Sequence, residues 1–328
     1  MKSKRLAVAI GLFFIVMFPA SWQPMAMAQA KTVIKVAHES SVDHEIHLSL
    51  VFFAKKVAEK TKGEVEVKVF PAGQLGNEQA IYEGVKLGTI DAGTGGLYGT
   101  MDPMWEVINM PFLYRDYNHV QKVFDGPIGD ELKKRALKNG YKVLAPFHNG
   151  FRYFYNNAKP IYAPEDLKGL RMRTPPMPVI IDTVKALGGV PQAIPYGEVY
   201  TATKQGVVDG GEQALASIVG MKFYEVMKYI TLVPYLYNAD VYIMNPKLWN
   251  SLSPKVQKAI EESAREALAY QRKLFSERTD QAVDVILKNG VKVNLAYAPL
   301  FPPHVKEVYA KYEKGFPPGL IEQIRNIK

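Results

Sequence analysis

From Pro254 to Asn289 the chain runs without a glycine or a second proline. Val256, Ile260, Ala264, Ala267, Leu268, Leu274, Phe275, Val283, Ile286 and Leu287 recur at roughly helical spacing along it. Ser253-Pro254 reads as an N-cap with proline at the first helical position, and Asn289-Gly290 as the stop. One continuous helix of ~35 residues would be ~50 Å long at ~1.5 Å per residue. That is more than one small lobe can span, so the helix is expected to serve two lobes. The alternative is a pair of helices broken near Gln271 to Arg278.

The rest of the pattern supplies those lobes. Val33 to Ala37 reads as a short strand, and His44 to Thr61 as an amphipathic helix with Leu48, Val51, Phe52, Ala54, Val57 and Ala58 on its apolar side. Val65, Val67 and Val69 alternate with charged residues, the mark of a half-buried strand that Pro71-Ala72-Gly73 ends. A helix over 78–87 and a strand over 90–92 complete a β-α-β-α-β opening, which indicates a layered α/β domain. The grammar repeats later. A strand is expected over 141–146, a short run over 170–173, helices over 178–187 and 197–205, a short segment with a tight turn over 207–211, and two further separate strands over 230–234 and 240–244. No linker separates the halves, so the chain is expected to cross between lobes more than once.

The N-terminus reads as a removable leader. Lys2, Lys4 and Arg5 precede the uncharged run Leu6 to Phe18, and small-x-small sites end at Ala28 and Ala30. This is the three-part pattern of a secretory signal peptide over residues 1–30. The apolar run is shorter than the ~20 residues a bilayer span needs, so the mature chain is expected to be exported, soluble and not membrane-embedded. Cysteine is absent. A chain of this length buries enough apolar surface without disulfides, and it has neither a lipid-attachment site nor a thiolate nucleophile. The Gram-negative periplasm is the expected address. Three of the cations behind the formal charge of +9 lie in the leader. The remainder are scattered without interleaved aromatics, which argues against nucleic acid.

A search for chemistry finds little. His44-Glu45-Ile46-His47, with His38 upstream, is one residue short of the H-E-x-x-H metalloprotease pattern. A periplasmic metal-dependent hydrolase using His38, His44 and His47 stands as the alternative. Gly93-Thr94-Gly95-Gly96 and Gly210-Gly211 are too short to cradle a phosphate, and no nucleophile elbow or dinucleotide fingerprint is present. No cofactor, no metal and no catalytic residue is expected.

Three stretches carry positive information. They are FPAGQLGNEQAIYEGVKLGTIDA (70–92), MPFLYRDY (110–117) and the run from Pro164 to Ala216 that contains RMRTPPMP, IPYGEVY and VVDGGEQA. In this order they resemble the solute-binding proteins of TRAP (tripartite ATP-independent periplasmic) transporters, over essentially the whole mature chain. The resemblance implies an α/β, two-lobed periplasmic-binding-protein-like fold with a ligand cleft between the lobes and a long helix shared by both. Lobe I would hold 31–149 plus about 240–275, and lobe II 150–239 plus about 276–328. It also implies a monomer that captures a small organic acid (a carboxylate, or else a sulfonate or zwitterion) by cleft closure and passes it to TRAP membrane permease subunits. A sensor subunit on the same fold would differ only in its partner.

By position, Arg173 matches the family's carboxylate anchor, and a guanidinium fork suits a carboxylate as lysine cannot. Arg171 falls to the rim or a surface pair. Arg152 matches a second arginine that reaches ligand, or else forms a salt bridge. In Asp209-Gly210-Gly211-Glu212-Gln213, Gln213 stands where the family has asparagine, one methylene longer, beside Glu212. Tyr196 stands where a phenylalanine or tryptophan commonly packs on ligand. Asp240 departs from the family's usual histidine and would favour hydroxyls or an amino group. His38, Glu39 and Ser40 follow the first strand, where the family places cleft residues, and Tyr98 and Trp105 are candidate aromatic walls.

Overall fold

The computed structural model describes residues 31–328; the expected leader lies outside them. The first half of the chain forms β1 (Thr32–Ala37), α1 (Glu45–Lys60), β2 (Val65–Phe70), α2 (Glu78–Leu87), β3 (Ala92–Gly95), α3 (Tyr117–Asp125), α4 (Pro127–Lys138) and β4 (Lys142–Asn156). Then follow β5 (Arg171–Thr174), α5 (Pro178–Ala186), β6 (Val190–Ala193), α6 (Val199–Lys204), β7 (Gly210–Ala214), α7 (Leu215–Gly220) and β8 (Tyr229–Met244). The chain closes with α8 (Pro246–Ser251), α9 (Pro254–Lys288), β9 (Lys292–Leu295), α10 (Lys306–Tyr312) and α11 (Leu320–Asn326).

The strands join in the order β2-β1-β3-β8-β4-β7-β5-β6, with β9 added beside β8. Each end of that order is parallel, as the βαβ patterns required. The two ends are joined by the long antiparallel pair β4 and β8 at the centre of the sheet. The sequence suggested two short strands where β8 is one, and it ended β4 at Pro146. A bulge accounts for the first, while β4 runs straight on through Pro146, which stays in register opposite Val241. The β4–β8 register shifts at three places, one of them around Gly150, whose φ is +116°. Between the pairs Arg152–Leu236 and Phe154–Thr231 lies the segment holding Pro234, where no ladder bond is demanded of a residue without an N–H.

α9 is one unbroken helix, so the two-helix alternative falls away. Ser253 Oγ accepts from Val256 N at its start. Its first half buries Val256, Ile260, Ala264 and Ala267 with α1, β1 and β2, while Ala282 and Ile286 pack with Leu215, Ile218, Phe223 and Ile230. Between the two sits Gln271, fully buried, whose amide accepts from His148 N at 3.0 Å and donates to His148 O at 2.7 Å. The residue where a break was conceivable therefore plugs the bulge in β4 and ties the helix to the strand.

The face of α1 is corrected. Ile46, Leu50, Phe53 and Val57 are the buried apolar residues, while Val51 is 47% exposed. An i, i+4, i+7, i+11 stripe was present in the sequence. It was masked because the adjacent stripe is apolar too, and Phe52 covers Tyr270 of α9 by stacking at 4.6 Å. Among the described residues no helix is long and apolar enough to cross a membrane.

Candidate binding cavity with one unpaired guanidinium

A cavity of about 220 Å³ opens where the ends of β1, β3 and β5 meet the middle of β4 and β8. It is small beside the roughly 300–1,000 Å³ of sites for drug-sized ligands. Seven of the residues expected from the sequence line it: Glu39, Ser40, Arg152, Arg173, Tyr196, Gln213 and Asp240.

Arg173 sits in β5 between β6 and β7 and is 2% exposed. Among the described residues it makes one hydrogen bond, from Nε to the Ile194 carbonyl at 2.9 Å, and no salt bridge. Burial pulls its pKa below the ordinary arginine value, with Glu212 working the other way. A desolvated cation with no ion-pair partner is costly, and its guanidinium is left to meet whatever enters the cavity. Arg171, two residues earlier on the same strand, is exposed and pairs with Asp209 at 2.6 Å, as expected of a surface pair.

Arg152 lines the same cavity but is already neutralised. Its Nε and Nη2 grip the Glu212 carboxylate two-pronged, Nη2 also reaches the Glu212 carbonyl at 2.9 Å, and Nη1 reaches Asn149 Oδ1 at 3.3 Å. Burial works against the charge, and Glu212 more than offsets it. Tyr235 completes the network by donating to Glu212 Oε2 at 2.6 Å. Glu212 thus holds Arg152 and does not itself line the cavity.

Three other expected residues are placed elsewhere. Tyr98 is fully buried, donates to Asn109 Oδ1 at 2.6 Å and accepts from Asn238 at 3.0 Å; Trp105 donates to the Leu132 carbonyl at 3.0 Å. Both are core residues, because large aromatics after β3 fill the space under α3 and α4. His38 turns from the cavity to His47, Nε2 to Nδ1 at 3.1 Å. His44 caps α1 by accepting from Ile46 N and contacts Ser217 across the lobes at 3.4 Å. The three histidines do not converge, and among the described residues no group of metal-ligating side chains forms.

The reading missed Glu78, Asn149, Asn238 and the Pro175-Pro176-Met177 corner that follows Arg173. Glu78 opens α2, where an acid in the first turn ordinarily faces solvent and complements the helix dipole. Here the bare backbone of Gly95 and Gly96 lets it fold inward, and its Oε2 accepts from Gly96 N at 3.1 Å. A Cβ on Gly95 would lie 2.8 Å from the Glu78 carboxyl carbon. Glu39 Oε2 in turn accepts from Glu78 N at 3.1 Å, satisfying one of the free N–H groups that begin α2.

Burial, with Asp240 and Glu39 nearby, pushes the Glu78 carboxyl up to about 8, against the pull of Gly96 N–H and Arg173. Burial likewise raises Asp240 to about 6, opposed first by the hydrogen bond from Asn149 Nδ2 at 3.2 Å. Both groups must take up a proton to fold above their ordinary values, so the stability they permit is complete at low pH and is lost as pH rises through about 6 and about 8. Buried His38, His44 and His148, whose pKa values burial lowers, pull the other way below their ordinary range, so the effect is read as a difference: the urea midpoint of ligand-free Glu78→Gln relative to wild type is expected to rise between about pH 6.5 and about pH 8.5. A difference that stays flat or falls over this range would contradict the burial described for Glu78.

What the cavity offers is retention: a desolvated guanidinium at one wall, polar groups at the other, and lobes that meet around them. These are the features of a solute-binding protein. The chain belongs to the bacterial extracellular solute-binding proteins of family 7 (DctP), which it matches over residues 36–315. It is 36% identical to the 2,3-diketo-L-gulonate-binding periplasmic protein of Escherichia coli (strain K12) over 79% of this chain and 80% of that one. It superposes on a TRAP periplasmic solute-binding protein from Polaromonas sp. JS666 bound to D-erythronate, with TM-score 0.88 and 31% identity over 91% of this chain and 99% of that one. A third likeness is to a TRAP periplasmic solute-binding protein from Sulfurospirillum deleyianum with bound succinate, TM-score 0.86 and 30% identity over 91% and 100% of the two chains. The two-lobed α/β architecture expected from the sequence is that of these neighbours.

Proposed function

We propose that this chain is the periplasmic receptor of a TRAP transporter, capturing a small organic acid as its lobes close and delivering it to the membrane permease pair. The observation that carries this is Arg173: a buried guanidinium, facing a cavity, with a single internal hydrogen bond. A carboxylate is the planar, two-oxygen partner that such a fork lacks. Relatives that bind a keto acid, a hydroxy acid and a dicarboxylate support the same reading.

In this reading lobe I comprises 31–149 with about 240–275, and lobe II 150–239 with about 276–328. Closure then brings Ser41 and His44 onto Gly220 and Ser217, contacts already present at 3.2 and 3.4 Å. Export with removal of residues 1–30, a Gram-negative periplasmic address and a monomeric receptor belong to the same proposal.

Native mass spectrometry of freshly purified protein, followed by release and fragmentation of whatever it carries, is expected to find a small carboxylic acid. Adding that acid back to stripped protein at a hundredfold excess over Kd would stabilise it by ~2.7 kcal/mol. A retained molecule with no acidic group would overturn the proposal.

A further inference from the structure

The cavity is electrically divided by the order of its strands. Glu39 follows β1, Glu78 packs against β3, and Asp240 lies in β8. Arg152, Gln213 and Arg173 come from β4, β7 and β5, the next three strands of the sheet. Because the sheet order is β2-β1-β3-β8-β4-β7-β5-β6, the acids occupy one half of the cavity and the arginines the other. Arg152 is neutralised by Glu212, which leaves Arg173 as the unpaired cation of the cationic half.

We propose that the site selects a monocarboxylate whose remaining length carries hydroxyl groups, and that the Asp240 carboxylate, in the acid-lined half, rejects a second carboxylate. This rests on the carboxylate-capture reading above and names the class of acid within it. Each of the three acids has one oxygen held by a protein donor: Glu78 N for Glu39, Gly96 N for Glu78 and Asn149 Nδ2 for Asp240. Glu78 and Asp240 each keep a second oxygen with no donor among the described residues. Asn238 adds to the same side, its amide nitrogen already spent on Tyr98 and Asn109. The acid half is thus rich in acceptors. A hydroxyl donates one hydrogen bond and accepts others, so it satisfies such groups; a carboxylate only accepts, and it meets like charge.

An ammonium would also find these acids attractive. One observation favours hydroxyls over it: the cavity has a single aromatic wall, Tyr196, whereas cages for alkylated ammonium use several rings. The other charged groups felt here are Arg173 and Arg152 from the far wall and Glu45 beyond Asp240, and none of them supplies a cation to the acid half.

The test is calorimetry at pH 7 with three sets of probes: D-erythronate, D-gluconate and D-galacturonate; succinate and glutarate; and butyrate and 4-aminobutyrate. At least one hydroxy acid is expected to bind ~100-fold or more tightly than either dicarboxylate, since like charges in a buried site cost several kcal/mol and an unpaired polar site rejects analogues that lack the hydroxyl. Butyrate is expected to bind as weakly as succinate. The double variant Glu78→Gln/Asp240→Asn is expected to gain ~10-fold or more for succinate while losing affinity for the hydroxy acid, because neutral amides donate to a carboxylate. Succinate or glutarate binding as tightly as every hydroxy acid would overturn the selectivity and leave carboxylate capture standing. Tightest binding of 4-aminobutyrate would overturn the hydroxyl assignment in favour of an ammonium. If no probe of any set bound, capture of a small carboxylate would itself fall, and the selectivity with it.

Discussion

Replacing Arg173 by alanine is expected to weaken binding of the cognate acid by about 30-fold to several thousand-fold, the equivalent of the ~2–5 kcal/mol lost when one partner of a desolvated, hydrogen-bonded charge pair is removed. The unfolding transition should hardly suffer. In the ligand-free chain this guanidinium is buried with one hydrogen bond and no counter-ion, so its removal relieves as much desolvation as it forfeits packing. Arg173→Lys should recover little of the lost affinity, because a point charge on a flexible stem does not reproduce the two-pronged fork. Calorimetry on the two variants, with urea unfolding alongside, decides the matter. Affinity within threefold of wild type for Arg173→Ala would remove the arginine from the site.

Glu212 is expected to behave in the opposite way, with its effect on the fold first. Glu212→Ala leaves Arg152 buried, its charge answered only by Asn149 and the backbone carbonyl of residue 212. Breaking one side of a buried pair costs about 3–5 kcal/mol. Tyr235 loses its acceptor at the same moment. The double variant Arg152→Met/Glu212→Leu should cost less than Glu212→Ala alone, since no uncompensated charge remains. Urea midpoints for the two variants measure the difference. A double variant less stable than the single would mean that the network contributes through its shape and not through its charge balance.

These two residues also mark what could be read without coordinates. The long helix and β2 were legible because their periodicity is regular over many residues and few breakers interrupt it. Arg173 was legible through its motif. β4 and β8 were not, since Pro146, Gly150 and Pro234 are local signals for an end of structure. The in-register pairing that carries β4 through Pro146, and the bulges that accommodate Gly150 and Pro234, exist only because two long strands find each other across the chain. The division of labour in the site was hidden for a similar reason. Nothing local distinguishes Glu212, whose carboxylate is spent on Arg152 and Tyr235, from Gln213, which lines the cavity. Glu78 looked like any acid at a helix start, and its inward turn depends on two glycines in another strand. The aromatic pair Tyr98 and Trp105 had the composition of a binding wall, but the contents of the core decide which large rings remain available to a ligand.

The pairing of β3 with β8 sets an order of events in time. Ala92 finds its place beside Met244, and Val36 can bury fully only when β3 is so held. The core around α1, β1 and β2 is then finished by α9, whose first residue comes later still. A ribosome that has delivered everything up to Asn156 has made most of the residues of that core, yet neither of its closing elements exists. Such long-range pairing makes for slow folding. The chain therefore stays open for most of its synthesis, and both halves of the molecule become complete within the same short stretch of sequence near its end.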